Sequence, residues 1–258
     1  MNVVRLIGFV GLLLFLTACG KKGPVRPLQA QLPEAVRNVE LRQRGAELLL
    51  GWQLPTRNQN ETPLEAPPVV EIYRMRFDPA DDCPECKDRS TLLHSINPEL
   101  PHPARLSGDR YQLRDRQVAA GQGYQYRLVP RTASGQHGSP LQVRIVFAAA
   151  PAAPAGLRAK AHDRSATLSW HPLQAAAGQT LLGYRVYRRL EGSGQPAILL
   201  NRQPLAALRY DDLNLENGRL YSYRIRALLL HGEQRLESLP SAAVTALPQA
   251  GNPPQQPL

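Results

Sequence analysis

Three strand-like patterns occur twice along the chain, in the same order. In each copy an extended run ends in tryptophan, a second run ends in tyrosine and arginine, and a third reads Tyr-x-Tyr-Arg. Apolar and polar positions alternate with period two, and aromatic and β-branched residues are frequent, which predicts β-strands. The runs lie at 46–52, 69–74 and 123–128, then at 166–170, 183–188 and 220–225. Glycine, proline and aspartate clusters separate them, so each half is predicted to be an all-β sandwich.

The two copies resemble fibronectin type III modules. The second is the clearer match, because Pro151-x-x-Pro154-x-x-Leu157 precedes its tryptophan strand and Ser238-Leu-Pro-Ser241 closes it. The resemblance implies an all-β fold of two tandem immunoglobulin-like sandwiches, at 33–148 and 151–247. It gives four residues structural roles, with tryptophans in the core on strand B and tyrosines whose hydroxyls bond nearby backbone. These residues are Trp52, Tyr124, Trp170 and Tyr221.

The first copy is longer than the second, mainly between Tyr73 and Tyr124. An insertion is therefore expected after strand C of the first sandwich. At the other end of the chain, residues 248–258 are rich in proline and glutamine and carry no apolar pattern. Such a composition cannot form a packed core, so this tail is expected to be disordered.

The longest apolar run lies at the N-terminus. Arg5 precedes the apolar residues 6–16, which as a helix would be about 17 Å long, too short for a bilayer core of about 30 Å. Residues 1–18 are therefore predicted to be a cleaved secretory signal rather than a membrane-spanning anchor. They are excluded from the reasoning about the fold.

The residues around the end of this signal resemble a bacterial lipobox. They are Leu16, Thr17, Ala18, Cys19 and Gly20. The resemblance implies cleavage before Cys19, a diacylglyceryl thioether on its sulfur and acylation of the new N-terminus. Several acyl chains form a far stronger anchor than one. Glycine rather than aspartate follows the cysteine, which favours the outer membrane, with the sandwiches facing the periplasm. No cofactor is expected besides this covalent lipid.

Residues 19–32 are predicted to be a flexible tether, because glycine, proline and glutamine keep the segment unpacked. Its start, residues 19–27, is similar to the CG-x-KGP-L-x-x-P start of a very small lipoprotein that assists assembly of the lipopolysaccharide translocon. Val25 stands where that family usually has leucine. The similarity implies an alternative function, an envelope assembly factor that acts through its lipidated N-terminus.

The charge balance points to anionic partners. Lys and Arg number 31 against 21 Asp and Glu, a net charge of +10. Because the signal removes the chain from the cytoplasm, nucleic acid is not expected as a partner. The polyanions available in the envelope are lipopolysaccharide phosphate, peptidoglycan carboxylates and acidic proteins.

A basic face is predicted on the second sandwich. Alternation directs Tyr184, Val186, Tyr223 and Ile225 inward, so their neighbours on strands C and F point outward. The outward residues are Arg185, Tyr187, Arg189, Arg224 and Arg226. Arginine and tyrosine are enriched in binding hot spots, so this face is either a binding surface or an ordinary solvated one.

Two further cysteines, Cys83 and Cys86, form a C-x-x-C pair in the expected insertion. An extracytoplasmic compartment favours a disulfide. A metal site would need further ligands, for which His94 and His102 are the nearby candidates. A redox pair would need a helix N-terminus that lowers the thiol pKa, and the pattern predicts no helix there. The three interpretations stay open.

No catalytic motif is present. The chain lacks G-x-S-x-G, H-E-x-x-H, P-loop and G-x-G-x-x-G signatures. The carboxylate pairs at 81–82 and 211–212 are expected in turns, bonded to backbone. We therefore expect no enzymatic activity and no metal, and a role in non-catalytic binding or scaffolding. An accessory binding module of a hydrolase is a further alternative.

The lipobox makes a direct prediction about the native protein. Intact-mass spectrometry of protein extracted from membranes should show a chain that begins at Cys19 and carries acyl groups. A native chain that begins at Met1 and stays in the aqueous fraction would contradict the predicted anchor.

Overall fold

The computed structural model describes residues 31–80 and 89–251, in which the regular elements are β-strands. Several predicted features lie outside those ranges, namely the signal at 1–18, Cys19 with residues 20–30 of the tether, the Cys83 and Cys86 pair, and residues 252–258 of the tail. Within the described ranges, no helix has the length and apolar character needed to cross a membrane.

The first half of the described chain folds into two facing sheets. Its strands are β1 (Arg37–Arg44), β2 (Glu47–Gln53), β3 (Val69–Phe77), β4 (Thr91–Ile96), β5 (Arg105–Ser107), β6 (Arg110–Asp115), β7 (Gly123–Arg131) and β8 (Leu141–Val146). One sheet has the order β4-β3-β7-β8, and the other contains β1-β2-β6-β5. Their inner faces enclose one hydrophobic core.

The second half repeats the arrangement around a core of its own. Its strands are β9 (Arg158–His162), β10 (Ser165–Ser169), β11 (Gln179–Leu190), β12 (Ile198–Leu199), β13 (Arg209–Leu213), β14 (Tyr221–His231), β15 (Gln234–Glu237) and β16 (Val244–Ala246). One sheet has the order β13-β10-β9; the other contains β12-β11-β14, with β15 and β16 also paired to β14. The predicted all-β fold with two tandem sandwiches is therefore confirmed.

The predicted core tryptophans are buried in separate sandwiches. Trp52 stacks on Tyr111 with ring centroids 5.6 Å apart, and Trp170 meets Tyr184 edge-on at 5.5 Å. Offset-stacked and edge-on arrangements are the favoured ones for aromatic pairs. Each tryptophan thus stabilises its own core.

The two predicted corner tyrosines bond to backbone five residues upstream. The Tyr124 hydroxyl accepts a hydrogen bond from the Ala119 N–H at 2.8 Å, and the Tyr221 hydroxyl accepts one from the Glu216 N–H at 3.1 Å. Both side chains are buried. This is the geometry of a tyrosine corner in both sandwiches.

Asp212 corrects the expectation that the 211–212 carboxylates lie in a turn. Both residues lie within β13, and Asp212 is only 5% exposed. Its carboxylate accepts a hydrogen bond from the Tyr223 hydroxyl at 2.8 Å and pairs with Arg188 at 2.9 Å. A buried charge requires such partners. Because Asp212 lies in one sheet and its partners in the other, the cluster links the two sheets.

The first sandwich contains the equivalent cluster. Asp115 is buried, accepts a hydrogen bond from the Tyr126 hydroxyl at 2.6 Å and pairs with Arg74 at 2.6 Å. Burial and the nearby carboxylate raise the pKa of Tyr126 above its ordinary value, so the hydroxyl stays a donor. The two halves therefore share a polar link between sheets as well as a strand order.

A parallel strand pair joins the two sandwiches. β1 pairs with β15 in the register Gln43 to Leu236 and Arg44 to Glu237. Because β15 also pairs with β14, one sheet runs without a break from β12 in the second sandwich to β5 in the first. The junction is thus part of the backbone hydrogen-bond network rather than a flexible linker.

Gln43 and Gly45 complete the junction around this strand pair. The buried Gln43 amide donates to the Ala148 carbonyl at 2.8 Å and accepts from its N–H at 3.0 Å. The Gly45 N–H donates to the Glu237 carbonyl at 2.7 Å. Gly45 has a φ of 59°, and a Cβ there would lie 2.9 Å from an Arg226 nitrogen. Only glycine combines this turn with this close approach.

Four side chains form a second link across the junction, which we call the Glu237 clasp. Glu237 is 1% exposed. Its carboxylate accepts hydrogen bonds from Arg42 at 3.0 Å, from Arg185, and from the Tyr187 hydroxyl at 2.9 Å. Arg42 belongs to the first sandwich and the other three residues to the second. The clasp therefore connects the two sandwiches through one buried charge.

Removal of that charge should destabilise the protein. In Glu237→Gln, Arg42 and Arg185 lose their buried carboxylate, which should lower the free energy of unfolding by about 3 kcal/mol. Urea unfolding followed by tryptophan fluorescence measures the change. The matched control is Glu216→Gln, whose pair with Arg219 is exposed and should contribute less than about 1 kcal/mol. Equal losses in the two variants would contradict a stabilising role of the clasp.

Candidate functional site

A cleft of about 350 Å³ lies beside the Glu237 clasp, and both sandwiches contribute to its walls. We call it the arginine cleft, after six of its lining residues. Arg44, Arg105 and Arg114 come from the first sandwich, and Arg189, Arg224 and Arg226 from the second. All six lie on the single sheet that crosses the junction. No aspartate or glutamate is among the described residues that line the cleft.

Among the residues that the structure describes, two of the six guanidinium groups have an acidic partner. Arg44 pairs with Glu47 at 2.6 Å, and Arg189 pairs with Glu191 at 2.6 Å. The Arg226 guanidinium donates to a backbone carbonyl, that of Ser238, at 2.6 Å.

The guanidinium groups of the remaining three arginines form no ion pair or hydrogen bond with any part of the chain that the structure describes. They are Arg105, Arg114 and Arg224. Together with Arg226, four arginines of the cleft therefore form no ion pair with a described carboxylate, although Glu47 lies near enough to Arg114 and Arg226, and Glu237 to Arg226, to attract their charges.

The crowding of these charges perturbs their ionisation. Burial, and then the neighbouring charges of Arg44 and Arg105, lower the pKa of Arg114. Burial, and then Arg44, likewise lower the pKa of Arg226. Desolvation and like charges both disfavour a cation. An anion in the cleft would relieve that cost, so the arrangement is chemically suited to bind one.

Neighbouring strands bring like charges together at the edge of the cleft. Arg185 lies directly across from Arg226 in the β11–β14 register, and Tyr187 lies across from Arg224. Like charges directly opposite each other are destabilising. The Glu237 carboxylate offsets the positive charge of Arg185 in the clasp. No carboxylate described in the structure forms an ion pair with Arg226 or Arg224.

The arginine stems also cover apolar surface. Leu49 is buried but belongs to neither hydrophobic core. In the strand register it lies between Arg42 on β1 and Arg114 on β6, so the three side chains share one face of the sheet. Aliphatic arginine stems pack on such a residue while the guanidinium groups stay accessible. Leu49 thus helps to place Arg114 at the cleft.

The predicted basic face divides into two parts. Arg185 and Tyr187 hold Glu237 in the clasp, and Tyr187 also lines the cleft. The other three predicted residues, Arg189, Arg224 and Arg226, line the cleft. Alternation places all five on the outer side of the sheet. The structure brings this side next to the first sandwich, and Arg189 and Arg224 remain exposed there.

Sequence reasoning missed the three arginines of the first sandwich. Arg110 and Arg114 alternate with Tyr111 and Leu113 in β6, and Arg44 precedes the Gly45 turn. This pattern indicates a row of outward basic residues. No local pattern indicates that this row lies next to β14, because the juxtaposition depends on the β1–β15 pairing.

Across residues 31–80 and 89–251, no group of three His, Cys, Asp or Glu side chains is placed to hold a metal ion. His94 lies in an adjoining cavity, where burial lowers the pKa of its imidazole.

Comparison with known proteins gives structural neighbours. No family model matches the chain. It is similar to the crystal structure of the FN1–FN3 domains of chicken CNTN1, with 15% identity, a TM-score of 0.36, and coverage of 86% of this chain and 69% of that one. For the two fibronectin type III domain segment from chicken tenascin the identity is 16%, the TM-score 0.29, and the coverage 81% and 97%. A structure described as "Myokine structure" has 16% identity, a TM-score of 0.32, and coverage of 39% and 99%.

The clasp predicts a pH dependence. Burial, and then the Glu237 carboxylate, raise the pKa of Tyr187 to about 12 from an ordinary value of 10.0. A raised pKa stabilises the fold fully below the unfolded value, and this contribution is lost as the pH rises through the folded value. The stability difference between the unmodified protein and Tyr187→Phe should therefore be constant below pH 10 and shrink between pH 10 and 12. Thermal unfolding across that range measures it; a constant difference up to pH 12 would contradict the contact.

Proposed function

We propose that this chain is a non-catalytic binding and scaffolding lipoprotein of the outer membrane. A lipid on Cys19 holds it, residues 19–32 act as a tether, and the two sandwiches stand in the periplasm. The arginine cleft captures an anionic envelope partner, which is an acidic protein, lipopolysaccharide or peptidoglycan. The observation that carries this proposal is the set of four arginines in one cleft that form no ion pair with a described carboxylate.

The rigid junction supports a binding role. The β1–β15 pairing, the Gln43 amide and the Glu237 clasp hold the two walls of the cleft at a fixed separation. A preorganised site loses little conformational entropy when a ligand binds, so more of the contact energy remains as affinity. With a flexible linker between the sandwiches, ligand binding would have to order the two walls and would lose affinity to that entropy cost.

The chemistry of the cleft also supports it. Guanidinium groups form forked, charge-assisted hydrogen bonds with carboxylates and phosphates. Tyrosine beside arginine is typical of binding hot spots, and Tyr187 lines the same cleft as Arg224. Unneutralised positive charge in a concave site also accelerates encounter with an anion.

The geometry determines which residues can test the proposal. Arg185 is a poor choice, because its loss would break the Glu237 clasp. Arg114 and Arg224 are better choices, since their guanidinium groups contact no described carboxylate and they stand on opposite walls of the cleft.

Charge reversal at both walls should abolish capture. We expect Arg114→Glu combined with Arg224→Glu to reduce the crosslinked partner in intact cells at least tenfold, as measured by quantitative mass spectrometry. The loss follows because two attractive contacts become repulsive.

The control is Arg158→Glu combined with Arg202→Glu. It makes the same change in net charge at exposed positions that do not line the cleft. Capture by this control should equal that by the unmodified protein. If the cleft variant keeps its fold and still captures as much partner as the control, the proposed site is wrong.

A further inference from the structure

The charge balance of the arginine cleft limits the kind of anion that it can hold. Arg105, Arg114, Arg224 and Arg226 have no acidic partner among the described side chains, and all four line a space of about 350 Å³. A ligand that neutralises them must bring several negative charges into a small volume. The candidate ligands can therefore be compared by the negative charge that each carries in a given volume.

Phosphate groups meet this requirement better than carboxylates. A phosphate monoester carries about 1.5 to 2 negative charges near neutral pH and offers three acceptor oxygens. A carboxylate carries one charge and offers two oxygens. Two phosphates thus bring roughly the charge of four guanidinium groups, whereas two carboxylates bring half of it.

We propose that the arginine cleft binds a ligand with two or more phosphate groups. Arg105 and Arg114 contact it from the first sandwich, and Arg224 and Arg226 from the second. This inference rests on the proposed function, for which it names the ligand class. Because the arginines come from both walls, the phosphates bridge the junction.

The cleft leaves room for the rest of such a ligand. A second cavity of about 550 Å³ shares Arg105 and Arg114 with the cleft. Its other walls include His94, Gln112 and Gln117, whose polar groups suit hydroxyls, and also Asp115 and Arg116, whose opposite charges add no net charge to the cavity. The charged end of a ligand would lie among the arginines and its uncharged part in this second cavity.

Equilibrium binding to the full-length lipoprotein in neutral detergent tests the proposal. The probes are tripolyphosphate and citrate, both small and multiply charged, titrated by calorimetry. We expect one tripolyphosphate per chain, bound at least tenfold more tightly than citrate.

Arg114→Gln combined with Arg224→Gln should weaken tripolyphosphate binding at least tenfold. Arg158→Gln combined with Arg202→Gln should leave it unchanged. Circular dichroism and thermal unfolding of each variant separate loss of binding from loss of fold. If a folded cleft variant binds tripolyphosphate as tightly as the control variant, the proposal is overturned.

Two sources could supply such phosphates, a lipid headgroup or a soluble phosphorylated molecule. Vesicles with diphosphorylated lipid A, which carries two phosphate monoesters, are compared with vesicles of phosphatidylcholine alone as competitors of labelled tripolyphosphate. Displacement by the lipid A vesicles alone identifies a lipid headgroup as the source. Displacement by neither vesicle identifies a soluble phosphate. Both results support the phosphate site.

The failure of this inference differs from the failure of the proposed function. Citrate binding equal to tripolyphosphate binding, or no tripolyphosphate binding, would overturn the phosphate assignment. The proposed function would survive that result if the charge-reversed cleft still loses its partner in cells. If the cleft variants keep both tripolyphosphate binding and partner capture, the phosphate assignment and the proposed function are both overturned.

Discussion

The relative placement of the two sandwiches depends on the contacts of one buried carboxylate, that of Glu237. Two arginines and a tyrosine hydroxyl surround it, and one of these arginines belongs to the other sandwich. A buried charge that lost these partners would be strongly unfavourable. The clasp therefore favours one relative placement of the two sandwiches. The parallel pairing of β1 with β15 enforces the same placement through backbone hydrogen bonds.

This fixed placement explains how a strongly basic cleft can persist. If the junction were flexible, the three arginines of the first sandwich would move away from the three of the second, because like charges and desolvation both oppose their approach. Backbone pairing, Gln43 and Gly45 hold the strands together despite that repulsion. The cost is the reason for expecting a ligand, since local energetic conflict in a folded protein often marks a functional site.

The two halves share their internal construction and differ at their contact. Each has a buried tryptophan, a tyrosine corner and an Asp-Arg-Tyr cluster that links its sheets, as in Asp115 and Asp212. These features stabilise each sandwich, and their side chains are occupied in structural contacts rather than available to a ligand. The edges that meet at the junction are not repeated, and it is there that Arg105, Arg114 and Arg224 gather without an ion pair to any described carboxylate. The functional hypothesis therefore belongs to the pair of sandwiches rather than to either one.

The sequence alone determined the fold class, because period-two alternation specifies which side chains point inward on each strand. Alternation predicted the outward direction of Arg224 and Arg226, and the resemblance to fibronectin type III modules implied the buried Trp52 and Trp170. The sequence placed Asp212 in a turn, and this was wrong. A pair of aspartates is typical of turns, and no local pattern shows that an arginine and a tyrosine of the other sheet bind one of the carboxylates. Only the tertiary structure decided what lies beside the outward residues. Arg42 and Glu237 are 195 positions apart in the sequence. Periodicity shows on which side of the sheet a side chain lies, but it does not show which residue from a distant part of the sequence contacts it.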